Sequence, residues 1–244
     1  MAQTNKIIFL PQKAAEDPGK FEQKTNIVFQ NKGILKQAFA HRSYLNENRG
    51  LVAGSNERLE FLGDAVVELI VTNYLYRKYP DCPEGDLTNY RSALVNARMF
   101  AEVAQELGMH NYILLSEGQK KDNHKSLQSI LADAFEAFVG AVYLDQGYGV
   151  AEAFIASNLL PRIDEIVRCK LWRDPKSFLQ EKAQEHFKFT PMYDVVSETG
   201  SDHDKTFIVE VYFGDIQPAK GTGKSKSEAE QQAARNALEV KNWF

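Results

Sequence analysis

A basic excess is missing from this chain. Its 244 residues carry 29 Lys and Arg against 33 Asp and Glu, a formal charge of −4 with histidine neutral. That balance excludes a protein that coats nucleic acid with a uniformly basic surface, while leaving room for local basic patches. Cysteine is nearly absent too. Cys82 and Cys169 are the only two, too few for a disulfide framework and without C-x-x-C metal spacing, so a cytoplasmic location is expected. Long apolar runs are also lacking. Within Met1–Lys20 the one apolar group is Ile7 to Leu10, too short for a secretory signal or a membrane span. Residues 1–20 are expected to form a mobile leader, and because charge interrupts every longer apolar segment, no membrane partner is expected. His41, His110, His124, His186 and His203 show no H-x-x-x-H spacing, and there is no G-x-S-x-G elbow; His41 reads as structural. Gly223-Lys224-Ser225 ends like a phosphate-cradling loop, but the glycine needed five positions earlier is Pro218, so no nucleotide cofactor is expected.

What is present divides into two patterns. Residues 21 to about 166 read as successive helices: Phe21–Phe29, Ile34–His41, a long one from Asn56 to about Tyr79, one over about 86–107 stopped by Gly108, an apolar one from about Leu127 to Leu144, and a last over roughly 149–167. The pattern changes after Trp172. Pro175 to Phe187 suits a helix; Met192–Val196 and Phe207–Tyr212 alternate with period two; Gly214-Asp215 fits a hairpin turn into a third strand over 216–222. Ser225 opens a final helix to about Val240, with Glu228 at the capping-box position. The expected fold is mostly α: a helical domain over 21–166, a linker over 167–173 and a small α-β-β-β-α domain over 174–244.

The acids of two helices stand out. In Asn56-Glu57-Arg58-Leu59-Glu60-Phe61-Leu62-Gly63-Asp64, a turn of about 100° per residue places Glu57, Glu60 and Asp64 within roughly 60° of one another, beside an apolar face. From Ser129 to Leu144 the only charged residues are Asp133 and Glu136, three apart on one face. So apolar a helix is mostly buried, and two buried carboxylates without a local cation are costly unless positive charge arrives. If the helices pack together, Glu60, Asp64, Asp133 and Glu136 can converge as hard oxygen ligands of the kind Mg²⁺ prefers, able to hold a metal that acts on a phosphodiester. The alternative is that these acids pair with Arg58, Arg91 or Arg98, or face solvent.

The nine-residue segment resembles the ribonuclease III signature, and Leu131-Ala132-Asp133-Ala134-Phe135-Glu136-Ala137 resembles that family's second acidic motif. His41-Arg42-Ser43-Tyr44, Pro83-Glu84-Gly85 and Leu94-Val95-Asn96 match family segments in the right order. The resemblance covers about residues 21–240. It implies an all-helical nuclease domain and a Mg²⁺-dependent endoribonuclease, with Mn²⁺ able to substitute, that cuts both strands of double-stranded RNA. The products would be 5′-phosphate and 3′-hydroxyl ends with short 3′ overhangs, and the substrates structured precursors such as ribosomal RNA. It implies Glu60, Asp64, Asp133 and Glu136 as metal ligands, Asp64 and Glu136 as catalytic, and Glu57 and Glu84 as assisting at the substrate. It also implies a homodimer with Phe61 as an interface anchor, although the sequence pattern alone favours Phe61 as an ordinary core aromatic.

Residues 174–243 resemble a double-stranded RNA-binding domain. The resemblance places RNA contacts at Gln180 and Glu181 on the first helix, at His203 in the loop Gly200–Lys205, and at Lys224 and Lys226. Lys220, Lys224 and Lys226 put three positive charges into seven residues free of acids, ahead of a helix N-terminus that attracts phosphate; such a cluster can track phosphates while the helix and loop reach minor-groove 2′-hydroxyls. The chain departs from the family pattern in three places. Gln119–Gln128 lacks the usual Gly-rich, Arg-containing form, leaving Lys120, Lys121 and Lys125 for phosphate; Ser201 replaces a common proline; and Ser227 replaces a common third lysine. Two rival readings remain: a non-catalytic double-stranded RNA-binding protein on the same fold, and a helical scaffold whose acids make salt bridges.

Overall fold

The computed structural model describes residues 15–48, 50, 52–119, 124–170, 172–201, 205–212 and 219–243, with 124–126 described by their backbone alone. The expected leader lies largely outside these residues, as do the Gly214-Asp215 turn and His203. The chain divides into two compact units between Asp164 and Glu165.

The first unit is helical: α1 (Gly19–Thr25), α2 (Lys32–Ala38), α3 (Arg42–Glu47), α4 (Glu57–Lys78), α5 (Glu84–Leu94), α6 (Ala97–Glu106), α7 (His124–Gln146) and α8 (Tyr148–Asn158), with α9 (Ile163–Arg168) running across the division. Helix α7 is the central post. Ala134, Phe135, Ala137, Phe138, Val139, Ala141 and Val142 are fully buried in it, and α2, α4, α6 and α8 pack around it. By length and composition alone Leu127–Gln146 could cross a bilayer; here it is the core of a helical bundle, as an all-round apolar helix must be when it is not in lipid. Phe138 anchors an aromatic cluster with Phe21, Phe29, Phe39 and Phe154, ring centroids 5.1–6.1 Å apart, and Phe135 stacks on Phe100 at 5.2 Å.

Several boundaries differ from the sequence expectation, each for a local reason. The single helix expected over 86–107 is two. Asn96 divides them, because its extended backbone and its side chain serve both ends: Oδ1 accepts the Met99 N–H of α6 at 3.0 Å, and Nδ2 donates to the carbonyls of Ser92 and Ala93 on α5 at 3.1 and 3.0 Å. The helix expected over 149–167 breaks at Pro161 into α8, a 3-10 turn and α9. The helix α3 does not show in the apolar spacing; it is capped by His41, whose Nδ1 accepts the Ser43 N–H at 3.2 Å. Gly108, at φ 68°, ends α6 as the sequence suggests.

The second unit is α10 (Pro175–Phe187), β1 (Met192–Thr199), β2 (Thr206–Tyr212), β3 (Ala219–Gly223) and α11 (Lys226–Val240). The strands form an antiparallel sheet in the order β1-β2-β3, with a bulge between Val195 and Ser197. Val209 and Val211 of β2 meet Phe178, Leu179 and Ala183 of α10 and the alanine stripe Ala229, Ala233, Ala237 of α11. Gly221 and Gly223 let β3 touch that stripe: a Cβ at Gly221 would stand 2.1 Å from the Ala233 nitrogen, and one at Gly223 would stand 2.5 Å from the Ala229 nitrogen.

Candidate metal centre and nucleic-acid interface

The acidic site begins with two glycines. A Cβ on Gly63 would lie 1.8 Å from the Glu136 carbonyl oxygen, and one on Gly140 would lie 2.2 Å from the Leu59 carbonyl oxygen. Helices α4 and α7 therefore cross backbone to backbone. The acids one and two turns earlier on these helices are carried to the same place: one carboxylate oxygen each from Glu60, Asp133 and Glu136 lies within 4.8 Å of the others. Asp64, one turn beyond Glu60, is exposed and stands outside that trio, yet its charge is felt at both Glu60 and Glu136.

The site is electrostatically unbalanced. Burial first, then Asp64, Glu60 and Asp133, push the Glu136 carboxyl up to about 8. Burial and then Asp133, Glu57 and Asp64 raise Glu60. Burial also raises Asp133, against the opposing pull of Arg42. Two of the arginines that could have balanced this charge are engaged elsewhere: Arg91 donates to Thr72 Oγ1 at 3.0 Å and Arg98 to Glu102 at 2.9 Å. Among the described residues none of Glu60, Asp64, Asp133 and Glu136 forms an ion pair. A cluster of hard carboxylate oxygens that raises its own pKa for want of positive charge fits a divalent cation of the Mg²⁺ or Mn²⁺ kind.

A cavity of about 820 Å³ adjoins this cluster, lined by Glu57, Glu60 and Asp133 together with His41, Arg42 and Asn56 among others. Glu57 accepts from Ser55 Oγ at 2.8 Å and faces Arg42 at 3.8 Å. Asn56, the first residue of the signature segment, is the one buried polar side chain among the described residues, a burial that the sequence pattern did not indicate. Glu84 is not brought to the cavity lining; it begins α5, is exposed, and accepts from Thr88 Oγ1 at 3.1 Å. Phe61 departs from the reading that its spacing alone favoured. It is 82% exposed, not a core aromatic, on an α4 that also exposes Leu69 and Tyr76.

In the second unit, Gln180 and Glu181 are exposed on α10, with Glu181 4.0 Å from Arg173. Ser225 caps α11 by accepting the Glu228 N–H at 3.2 Å, while Glu228 accepts the Lys224 N–H at 2.7 Å. This box fixes the backbone between Lys224 and Lys226. Lys224 Nζ reaches Thr206 Oγ1 at 3.3 Å, and Lys226 Nζ lies 5.9 Å from the Phe207 ring centroid, so both sit at one end of the sheet. Lys220 stands apart from them, paired across the strands with Glu210 at 2.7 Å.

Known proteins share this arrangement. A family model described as Ribonuclease-III-like matches residues 31–163, and one described as Double-stranded RNA binding motif matches residues 175–241. The chain is 45% identical over 219 residues to Ribonuclease 3 of Enterococcus faecalis, covering 90% of this chain and 95% of that one. It is 42% identical over 221 residues to Ribonuclease 3 of Borreliella burgdorferi, covering 91% and 90%. A crystal structure of the nuclease domain of ribonuclease III from Campylobacter jejuni superposes with a TM-score of 0.53 at 38% identity, over 59% of this chain and 93% of that one. With a helical unit whose acid-bearing helices cross closely and an α-β-β-β-α unit following it in the sequence, the chain belongs to the ribonuclease III family, as a ribonuclease that carries a double-stranded RNA-binding motif.

Proposed function

We propose that the protein is a Mg²⁺-dependent endoribonuclease that cuts both strands of double-stranded RNA, and that Mn²⁺ can substitute. The convergence of Glu60, Asp133 and Glu136 carries this reading. These three, with Asp64 beside them, would hold the cation. When bound, it supplies a polarised water and neutralises charge gathering on the phosphodiester. The protein's own part is positioning. The glycine-locked crossing of α4 and α7 fixes the ligands before substrate arrives, so little reorganisation is left for the reaction. Burial and the neighbouring acids raise the Glu136 carboxyl, so its service as a ligand is coupled to proton release. Glu57 and Glu84 are assigned to assist at the RNA.

The small domain would hold the duplex through Gln180, Glu181, His203, Lys224 and Lys226, with Lys220 contributing least because Glu210 already neutralises it. The functional division is placed at 21–166, 167–173 and 174–244. A homodimer with one cleavage site per subunit would cover the exposed α4 face around Phe61; the nuclease domain of ribonuclease III from Campylobacter jejuni has a region involved in dimer formation. Products with 5′-phosphate and 3′-hydroxyl ends and short 3′ overhangs, structured precursors such as ribosomal RNA as substrates, and a cytoplasmic location complete the assignment.

The test is direct. Purified protein should cut long duplex RNA with Mg²⁺ and not with EDTA. Glu136→Gln should bind the duplex with unchanged affinity and cleave it at least about a hundredfold more slowly, as expected when a group needed for charge stabilisation is removed. Binding without any wild-type cleavage overturns the enzyme reading, and normal cleavage by Glu136→Gln overturns the role given to that residue.

A further inference from the structure

The cavity beside the acids has a lopsided lining. Glu57, Glu60 and Asp133 make one wall acidic, and Arg42 is the one cation among its described lining residues. An RNA backbone approaching this wall is repelled by the carboxylates unless positive charge meets the phosphate.

Arg42 is built to meet it. The backbone beneath is tied on both sides: His41 N–H donates to the Leu114 carbonyl at 3.2 Å, and Ser43 Oγ accepts the Ser116 N–H at 3.1 Å. His41 itself caps α3 through Nδ1. Burial lowers the pKa of its ring, so His41 is a poor source of charge here. The Arg42 side chain, by contrast, is 74% exposed, and its ion-pair partner is Glu57, at 3.8 Å. An exposed pair at that distance contributes little and is readily exchanged for a phosphate, which offers a guanidinium two parallel hydrogen bonds.

We propose that Arg42 grips a backbone phosphate of the duplex at the mouth of the acidic cavity, exchanging Glu57 for it, and thereby sets the affinity of the cleavage site for RNA separately from the small domain. The inference rests on the reading of the α4–α7 acids as the cleavage site.

Single-turnover cleavage of a perfectly paired RNA in Mg²⁺, across a range of enzyme and KCl concentrations, tests it with the full-length chain. Arg42→Ala should raise the half-saturating enzyme concentration about tenfold, the worth of one charge-assisted contact. It should flatten the dependence of log half-saturation on log[KCl] by about one unit. The saturated rate should fall by less than about threefold, since the lost contact is made before and during reaction alike. Arg42→Lys, which keeps a point charge but not the fork, should restore the salt dependence and only part of the affinity. Unchanged half-saturation and salt dependence in Arg42→Ala overturn the proposal, as does a loss confined to the saturated rate, or a lysine variant as insensitive to salt as the alanine one. A wild-type protein that leaves the duplex intact overturns the site reading and this inference with it; a cutting wild type with an indifferent Arg42 overturns the inference alone.

Discussion

Glu136 is a carboxyl placed where its charge is costly. Its pKa in the folded chain is about 8, against an ordinary value of 4.5. The folded state therefore binds this proton more tightly than the unfolded state does. The associated stability is full below the unfolded pKa and is lost as pH rises through the folded one. In EDTA the helical unit should lose stability between about pH 5 and pH 8. Allowing for solvent screening of a half-open group, the expected loss is about 1 kcal/mol, or about 2–4 °C in melting temperature. Mg²⁺ should reverse it most strongly at the alkaline end, and Glu136→Gln should weaken both effects, leaving only what the raised Glu60 and Asp133 contribute. Thermal unfolding followed by circular dichroism at several pH values measures this, and a metal-free melting temperature that rises with pH through this window would contradict it. The isolation of Glu136 was legible beforehand, because Ser129 to Leu144 carries no cation at all. The exposure of Phe61 and the pairing of Lys220 with Glu210 were not. Both depend on which face of an element meets its neighbour across the fold, and periodicity does not number the faces.

At the scale of elements, the crossing of α4 and α7 holds the site together. A methyl at Gly63 would overlap the Glu136 carbonyl. Gly63→Ala gains about 1 kcal/mol of helix propensity, but it must push two backbones apart, and overpacking in a tight core costs about 1–3 kcal/mol or more. The expected result is a lower melting temperature and a weakened stabilisation by Mg²⁺, since Glu60 and Glu136 are moved apart together. Equal stability and equal Mg²⁺ response in this variant would refute the close crossing. The sequence pattern showed the two helices and their acidic faces but passed over the glycines, whose meaning is a contact between segments far apart along the chain. Helix ends were legible where one residue type decides them, as with Gly108 and the Ser225–Glu228 box. They were missed where a polar side chain serves two ends at once, as Asn96 does.

For the whole molecule, net charge proved a weak guide. Residues 174–244 hold nine Lys and Arg against twelve Asp and Glu, so even the unit that carries the RNA-binding motif is acidic in total. What matters is local: Lys224 and Lys226 are fixed side by side by a helix cap. Assembly belongs to the same scale. Phe61, Leu69 and Tyr76 are exposed apolar residues of α4. Phe61→Asp should raise the dimer dissociation constant at least about tenfold, the effect of spoiling an aromatic anchor, with little change in the melting temperature of the monomer. Sedimentation velocity over a concentration series reads this, and a wild-type protein that stays monomeric at all concentrations refutes the dimer. The sequence by itself determined the two-part organisation, the helical and period-two segments, and the isolation of two acids in an apolar helix, because each of these is written in spacing along a few turns of chain. Only the tertiary structure decided that Glu60, Asp133 and Glu136 meet while Asp64 stands aside and Glu84 lies outside the cavity lining, and that Arg42 lines the same cavity as Glu60 and Asp133. The meeting of the three acids depends on how closely α4 and α7 approach. That distance is set by two glycines at their crossing and by everything packed around it.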